Sequence, residues 1–302
     1  MITAMALGGY AALVGTAMPP LLSRARWTHR APVLAVLAWQ GLMVTFIVAT
    51  ALTVYHLALT EQHVHEGFLG LLSVCGLAAD APVTESAPTP RDALALSAPA
   101  VIVLLPLGWF VLCTWRARRA RQRHLDMLAL IGEPAPGYDA TVVDHGAPAV
   151  YCLPGRRRRV VITRGALDVL SDAQMRAVLE HERAHIESRH HLLHLLVDAF
   201  SRAFPGLPLA RHAKEQITLL VEMIADDRVL RSHSRDALAT AMCEVAAGQT
   251  PQGTLGAGGP GALIRLRRVL TPQPRPHRVT WLGVVAASTA APLLPLLVAC
   301  GP

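Results

Sequence analysis

The residues best suited to chemistry in this chain are His181-Glu182-Arg183-Ala184-His185. On an α-helix, residues four apart differ by about 40° of rotation, so both imidazoles leave one face and can grip a single metal ion. Glu182 sits one step round the helix. There it can reach a metal-bound water without being a ligand, which is the placement a general base for metal-assisted hydrolysis requires. Even among 14 histidines, chance is a weak account of this order and spacing.

Rival histidines stand just downstream. His190 and His194 are also four apart, but no glutamate follows His190, so that pair could bind a metal and would lack the base. His191 completes His-Glu-x-x-His-x-x-Ser-x-x-His, close to the metzincin pattern, in which a glycine ends the helix and lets the third histidine swing back. Ser188 stands at the glycine position here, and apolar residues recur through Leu192, Leu193 and Leu196. An unbroken helix is therefore expected, with His191 out of reach of the ion. The third ligand must then come from another element. In Leu220-Val221-Glu222-Met223-Ile224-Ala225-Asp226-Asp227, Glu222 and Asp226 share one helical face among apolar residues. That suits a carboxylate ligand and an acid that fixes the tautomer of a ligating histidine. A solvated acidic patch countered by Arg228 is the plainer alternative.

These groups need elements to hold them. Ser171-Asp172-Ala173-Gln174 has the form of a capping box, opening a helix that runs through Val178, Leu179, Ile186, Leu192, Leu193 and Leu196 until Pro205 and Pro208. A second helix is expected over His212 to Arg231. Upstream, the two prolines between Gly132 and Gly137 break the chain. Short β-like runs follow at Ala140 to Val143, Ala149 to Leu153 and Arg159 to Thr163, and these predict a small antiparallel sheet. Arg156 to Arg159 lies at a turn tip and is expected to face solvent or lipid headgroups.

The rest of the chain is not built for water. Of 302 residues, 52% are hydrophobic and only 16% charged, with mean hydropathy +0.38. This excludes disorder and argues against a purely soluble enzyme. Four almost uncharged segments, about 1–23, 31–59, 93–115 and 279–302, each reach the length of a membrane-spanning helix. The first has its arginines after the apolar run, so it reads as a retained span and not a signal peptide. The stretch 67–79 is too short to cross and reads as interfacial or re-entrant.

Arg24, Arg26 and Arg30 follow the first span, Arg116 to Arg123 the third, and Arg265 to Arg278 precede the fourth, whereas loop 60–92 is acidic. The positive-inside rule then places both termini outside a plasma (inner) membrane and the large segment in the cytoplasm. The expected organisation is three spans in 1–115 with an outward loop 60–92, a cytoplasmic domain 116–247, a Gly/Pro-rich and Arg-rich linker 248–278, and a fourth span 279–302. The arginines lack the aromatic or groove-reading partners of a nucleic-acid site, so lipid is the expected partner and direct nucleic-acid binding is not. Five scattered cysteines with no Cys-x-x-Cys pair suggest neither a metal cage nor a redox centre.

The His-Glu-x-x-His pattern with a distal Glu222-x-x-x-Asp226, preceded by Val160-Val161-Ile162-Thr163-Arg164-Gly165-Ala166-Leu167, resembles the membrane gluzincins. Two groups share that layout, the HtpX and prenyl-protein-protease type and the BlaR/MecR antirepressor type. Three spans, a cytoplasmic zinc domain and a fourth span resemble the BlaR/MecR type most closely. The resemblance implies a mainly α membrane protein: four transmembrane helices, with a cytoplasmic α+β gluzincin-type zinc peptidase domain inserted between spans three and four.

It further implies Zn2+ held by His181, His185 and Glu222, with Glu182 catalytic and Asp226 in support. The substrate would be a protein or peptide, in the antirepressor type a cytoplasmic DNA-binding repressor. Membrane-protein quality control, as in the HtpX type, is the alternative. A non-catalytic zinc-binding receptor is a third reading, against which the intact Glu182 argues.

The sequence departs from the pattern at His190, where many members carry an aspartate. No external penicillin-binding domain is expected beyond Pro302. Substrate is expected to pair as an added strand beside Ala149 to Leu153. On the outward loop, His56, His63 and His65 with Glu61 and Glu66 are the residues that could sense a metal.

Overall fold

A computed structural model describes residues 1–58, 90–135, 137–154, 159–248, 260–272 and 277–299. The expected interfacial stretch 67–79, the loop residues His63 and His65, and Arg156 to Arg158 lie outside the described residues.

The chain is mostly helical. Helix α1 (Ile2–Ala12) continues through a π-helical turn (Leu13–Ala17) into α2 (Met18–Arg24), and a short α3 (Trp27–Arg30) leads to α4 (Pro32–Ala58). Helix α5 (Pro90–Ile131) carries the third apolar segment straight on into the arginine-rich stretch without a break. Among the described residues three helices are long and apolar enough to cross a membrane, Ile2–Arg24, Pro32–Ala58 and Ser97–Ile131.

The fourth apolar segment is not one continuous helix. It forms α12 (Arg278–Ala290) and α13 (Leu294–Ala299), separated by a turn. Pro292 and Pro295 have no N–H to donate to the carbonyls of Ser288 and Ala291, four residues earlier. Neighbouring helices cover both groups. The Tyr10 hydroxyl donates to Ala291 O at 3.3 Å, and Ser288 O packs so closely on Gly41 that a Cβ there would lie 2.9 Å from it. Leu7, Leu52 and Ala299 cluster together, so the middle of α1, the last two turns of α4 and the end of α13 meet.

After α5 come β1 (Glu133–Ala135), β2 (Ala140–Val143), β3 (Val150–Leu153) and β4 (Arg159–Thr163). The three expected strands form, and β1 joins them from the proline-broken segment that offered no strand signal. The sheet is mixed and not purely antiparallel. Its order is β1-β2-β4-β3, with β2 parallel to β4. β3 turns back to form a hairpin with β4 on the side away from β2, which leaves β2 to meet β4 in the same direction. β3 is consequently an edge strand.

Thr163 ends β4 and caps α6 (Arg164–Val169). Its hydroxyl accepts from Ala166 N–H and from Ala149 N–H, the latter at 2.8 Å, and so ties the entry to β3 to the end of β4.

The capping box at Ser171 and Gln174 opens α7 (Asp172–Glu187). The single long helix expected here is in fact two. Ser188 ends α7, Arg189 adopts a left-handed conformation (φ 52°), and α8 (His190–Ala203) starts anew. A non-glycine residue rarely takes this conformation, so nothing in the residue types at 188–190 signals the break. Pro208 opens α9 (Pro208–Val229) at its first turn, where its missing N–H costs nothing. Helix α10 (Arg235–Gly248) packs on α7 through Ala241, Met175 and Leu179. Part of the expected linker is α11 (Pro260–Leu270).

The helices that follow the sheet do not stand apart from the apolar ones. Val197 and Phe200 of α8 and Leu209, Ala213, Ile217 and Leu220 of α9 share one core with Val14, Val36, Trp39 and Met43. At the turn between α8 and α9, Phe204 meets Phe46 edge-to-face at 5.3 Å. Gly15 lets Leu207 approach; a Cβ there would lie 3.2 Å from that side chain and 2.9 Å from Phe46.

Candidate metal centre and active site

Helix α7 presents His181 and His185 on one face, as their spacing requires, and α9 lays Glu222 across them. His181 Nε2 lies 3.1 Å from His185 Nε2. The Glu222 carboxylate lies 3.4 Å from each of these nitrogens, through Oε2 to His181 and Oε1 to His185. Among the described residues these three form the group able to hold a metal, with ligand atoms all within 4.8 Å of one another. Two imidazoles and one carboxylate leave a fourth position open, the composition of a catalytic zinc site and not of a closed structural one.

The donor set fits the ion in a second respect. Each histidine turns Nε2 inward and has its Nδ1 against another side chain. His181 Nδ1 is 3.1 Å from Asp226 Oδ1, and His185 Nδ1 is 3.1 Å from His190 Nδ1.

Asp226 is almost fully buried, at 1% exposure, and it is not alone. Arg265 of α11 grips it with two hydrogen bonds of 2.9 Å, from Nε to Oδ2 and Nη2 to Oδ1, and places Nη1 2.7 Å from Glu222 Oε2. One turn further along α11, Arg268 forks onto Asp227 at 2.6 and 2.7 Å and donates from Nε to His29 O at 2.7 Å. Arg228, expected as the counter-ion of an acidic patch, instead bridges Glu180 and Glu187 of α7.

The electrostatics follow from this packing. Burial opposes charging of Glu222 and Asp226, but the hydrogen bonds and charges of His181 and Arg265 outweigh it and bring both carboxyls down to about 2. Burial likewise disfavours a charged His181, yet Asp226 and Glu222 lift it to about 9. His185, more weakly served by Glu222, is brought down to about 4 by burial.

Glu182 points the other way round the helix, toward Cys152 on β3. Burial raises its carboxyl above the usual range, with the charge of His181 opposing. Burial, followed by the charge of Glu182, pushes the Cys152 thiol up to about 12 and keeps it protonated. The general-base candidate therefore sits between the metal ligands and the edge strand.

Residues 114–231 match the model of Peptidase family M48. The match supports a membrane-type metallopeptidase, in a family that is metal-dependent and generally zinc-dependent. It spans α5 from the arginine-rich stretch, the sheet, His181 to His185, Glu222 and Asp226, and ends before α11. No curated protein and no solved structure matches the chain.

Of the candidate residues, the structure brings His181, Glu182, His185, Glu222 and Asp226 together. His191 and His194 are not among them. Both line a groove of about 1100 Å³ between α5 and α8, with Arg118, Arg121 and Arg159. Arg265 was missed as a site residue because its charge was read only as a marker of membrane orientation. Its spacing from Arg268, one helical turn, was the available signal.

Proposed function

We propose that this protein is a membrane-embedded zinc endopeptidase that hydrolyses peptide bonds on the cytoplasmic side, and that its role is regulatory cleavage of a cytoplasmic repressor. The observation that carries the enzymatic reading is the convergence of His181, His185 and Glu222, with Glu182 beside them and free of the ligand set. Zinc held there would polarise the scissile carbonyl and acidify the attacking water. With such an ion in place Glu182 would serve as the general base and then as proton donor to the leaving amine, a task suited to a carboxyl whose pKa is raised by burial. Asp226, clamped by Arg265, holds the proton on His181 Nδ1 and so keeps Nε2 available as a ligand. Among the described residues β3 pairs with β4 on one side alone, and its other side, next to Glu182, offers backbone groups to an extended substrate.

The regulatory role rests on the likeness in layout to the antirepressors, with both termini outside and the site on the cytoplasmic side as the arginine distribution leads us to expect. Purified protein should contain zinc and cleave a generic unfolded polypeptide. Glu182→Gln should keep the zinc and lose the cleavage; full cleavage by that variant overturns the mechanism. For the role, the peptidase and a small DNA-binding repressor encoded beside it are expressed together and the repressor is followed by blot. A repressor that stays intact under every stress while misfolded membrane proteins disappear replaces regulation with quality control.

A further inference from the structure

We infer that His190 is a positioning residue, the hydrogen-bond acceptor that fixes His185 in the tautomer able to bind the metal. The inference rests on the metal-site reading above and concerns a residue outside the ligand set.

His185 has two ring nitrogens with different surroundings. Nε2 faces His181 Nε2 and Glu222, whereas Nδ1 faces His190 Nδ1 at 3.1 Å. The rings of His185 and His190 stand edge to face, 87° apart with centroids at 4.8 Å. A neutral histidine carries one N–H. If His185 is to direct a lone pair from Nε2 at an ion, its proton must sit on Nδ1, and His190 Nδ1 must accept it. His190 then carries its own proton on Nε2. The other tautomer would aim an N–H of His185 at the ion. His190 is 3% exposed, so solvent competes poorly for this bond.

The contact exists because the helix breaks. On a continuous helix, residues five apart point about 140° away from each other, and His190 would face away from His185. The left-handed Arg189 folds the first residue of α8 back over the last turn of α7. The two metal-binding imidazoles thus receive unlike support, a carboxylate held by Arg265 behind His181 and a neutral ring behind His185.

Full-length protein in detergent is titrated with zinc against a chromophoric chelator, and the Co2+-loaded form is followed by its visible absorption. His190→Phe keeps a ring and removes the acceptor, and His190→Asn restores an acceptor in its side-chain oxygen. His190→Phe should bind zinc roughly 10–100-fold more weakly, the usual loss when such a partner is removed. His190→Asn should recover most of that loss, and His191→Ala, next door but lining the groove, should bind as the parent does. Zinc affinity unchanged in His190→Phe, or equally weak in His190→Asn and His190→Phe, overturns the inference while leaving the metal site standing. A parent protein that binds no zinc, alongside an equally inert His181→Ala, takes down both.

Discussion

Arg268 donates to the backbone carbonyl of His29 at 2.7 Å, which joins the helix carrying Arg265 to the turn between the first two apolar helices. Because Arg265 and Arg268 lie on the same helix one turn apart, the grip of Arg265 on Glu222 and Asp226 depends on where that turn holds α11.

Arg268→Ala should therefore do more than lower stability. Losing a buried guanidinium with three charge-assisted or backbone bonds should cost about 2 kcal/mol, read as a lower melting temperature in detergent. Cleavage of an unfolded substrate should fall as well, because Arg265 loses its anchor. A melting temperature and a cleavage rate both equal to the parent's would refute the linkage.

Asp226→Asn removes the carboxylate behind His181 and leaves Arg265 without its fork partner. Zinc affinity should drop roughly 10–100-fold, while the far-ultraviolet circular dichroism of the metal-free protein stays helical. Equal zinc affinity in competition titration would show that Asp226 does not orient His181.

Removing the metal should lower the melting temperature without unfolding the chain, since the site lies on helices held by an extensive apolar core. At free zinc about 100 times the dissociation constant, binding contributes about 2.7 kcal/mol. Unfolding upon chelation alone, seen by circular dichroism, would mean that zinc is structural and not merely catalytic.

If substrate adds a strand to β3, backbone amides matter as much as side chains. Methylating alternate backbone nitrogens of a cleaved peptide should abolish cleavage for one alternating set and spare the other, because only every second amide faces the strand. Equal cleavage of both sets would rule out strand pairing.

Gly41→Ala places a Cβ 2.9 Å from Ser288 O, closer than a carbon and a carbonyl oxygen tolerate, so the backbone there must move. The variant should melt lower yet bind zinc normally, because α12 lies away from the metal ligands. Unchanged stability would mean that α12 shifts freely against α4.

Local chemistry was legible in the sequence and long-range geometry much less so. Spacing alone marked His181, Glu182 and His185, and the periodicity of α9 singled out Glu222 and Asp226. The short β-like runs matched β2 and β4 to the residue. The break at Arg189 was invisible because nothing in an arginine signals a left-handed backbone, and the contact of His190 with His185 was hidden with it. The parallel pairing of β2 with β4 depends on which side of β4 the hairpin folds, which no strand encodes by itself. Arg265 was hidden by its own charge, since an arginine near an apolar segment serves membrane orientation and ion pairing alike. The segment 279–302 was expected as one span, and its break at Pro292 and Pro295 went unread; the groups that make it tolerable, Tyr10 and Gly41, lie on the first two apolar helices.

The core shared by α4, α8 and α9 bears on how this protein can be handled and evolved. An excised fragment running from the arginine-rich stretch to α10 would bare Val197, Phe200, Leu209, Ala213, Ile217 and Leu220 to water, a continuous oily flank stripped of Val36, Trp39 and Met43. Such a fragment would clump and not dissolve. The half that carries the candidate site has in effect given up the option of an independent life, and any drift in the apolar N-terminal helices must be matched by the helices that carry His181, His185 and Glu222.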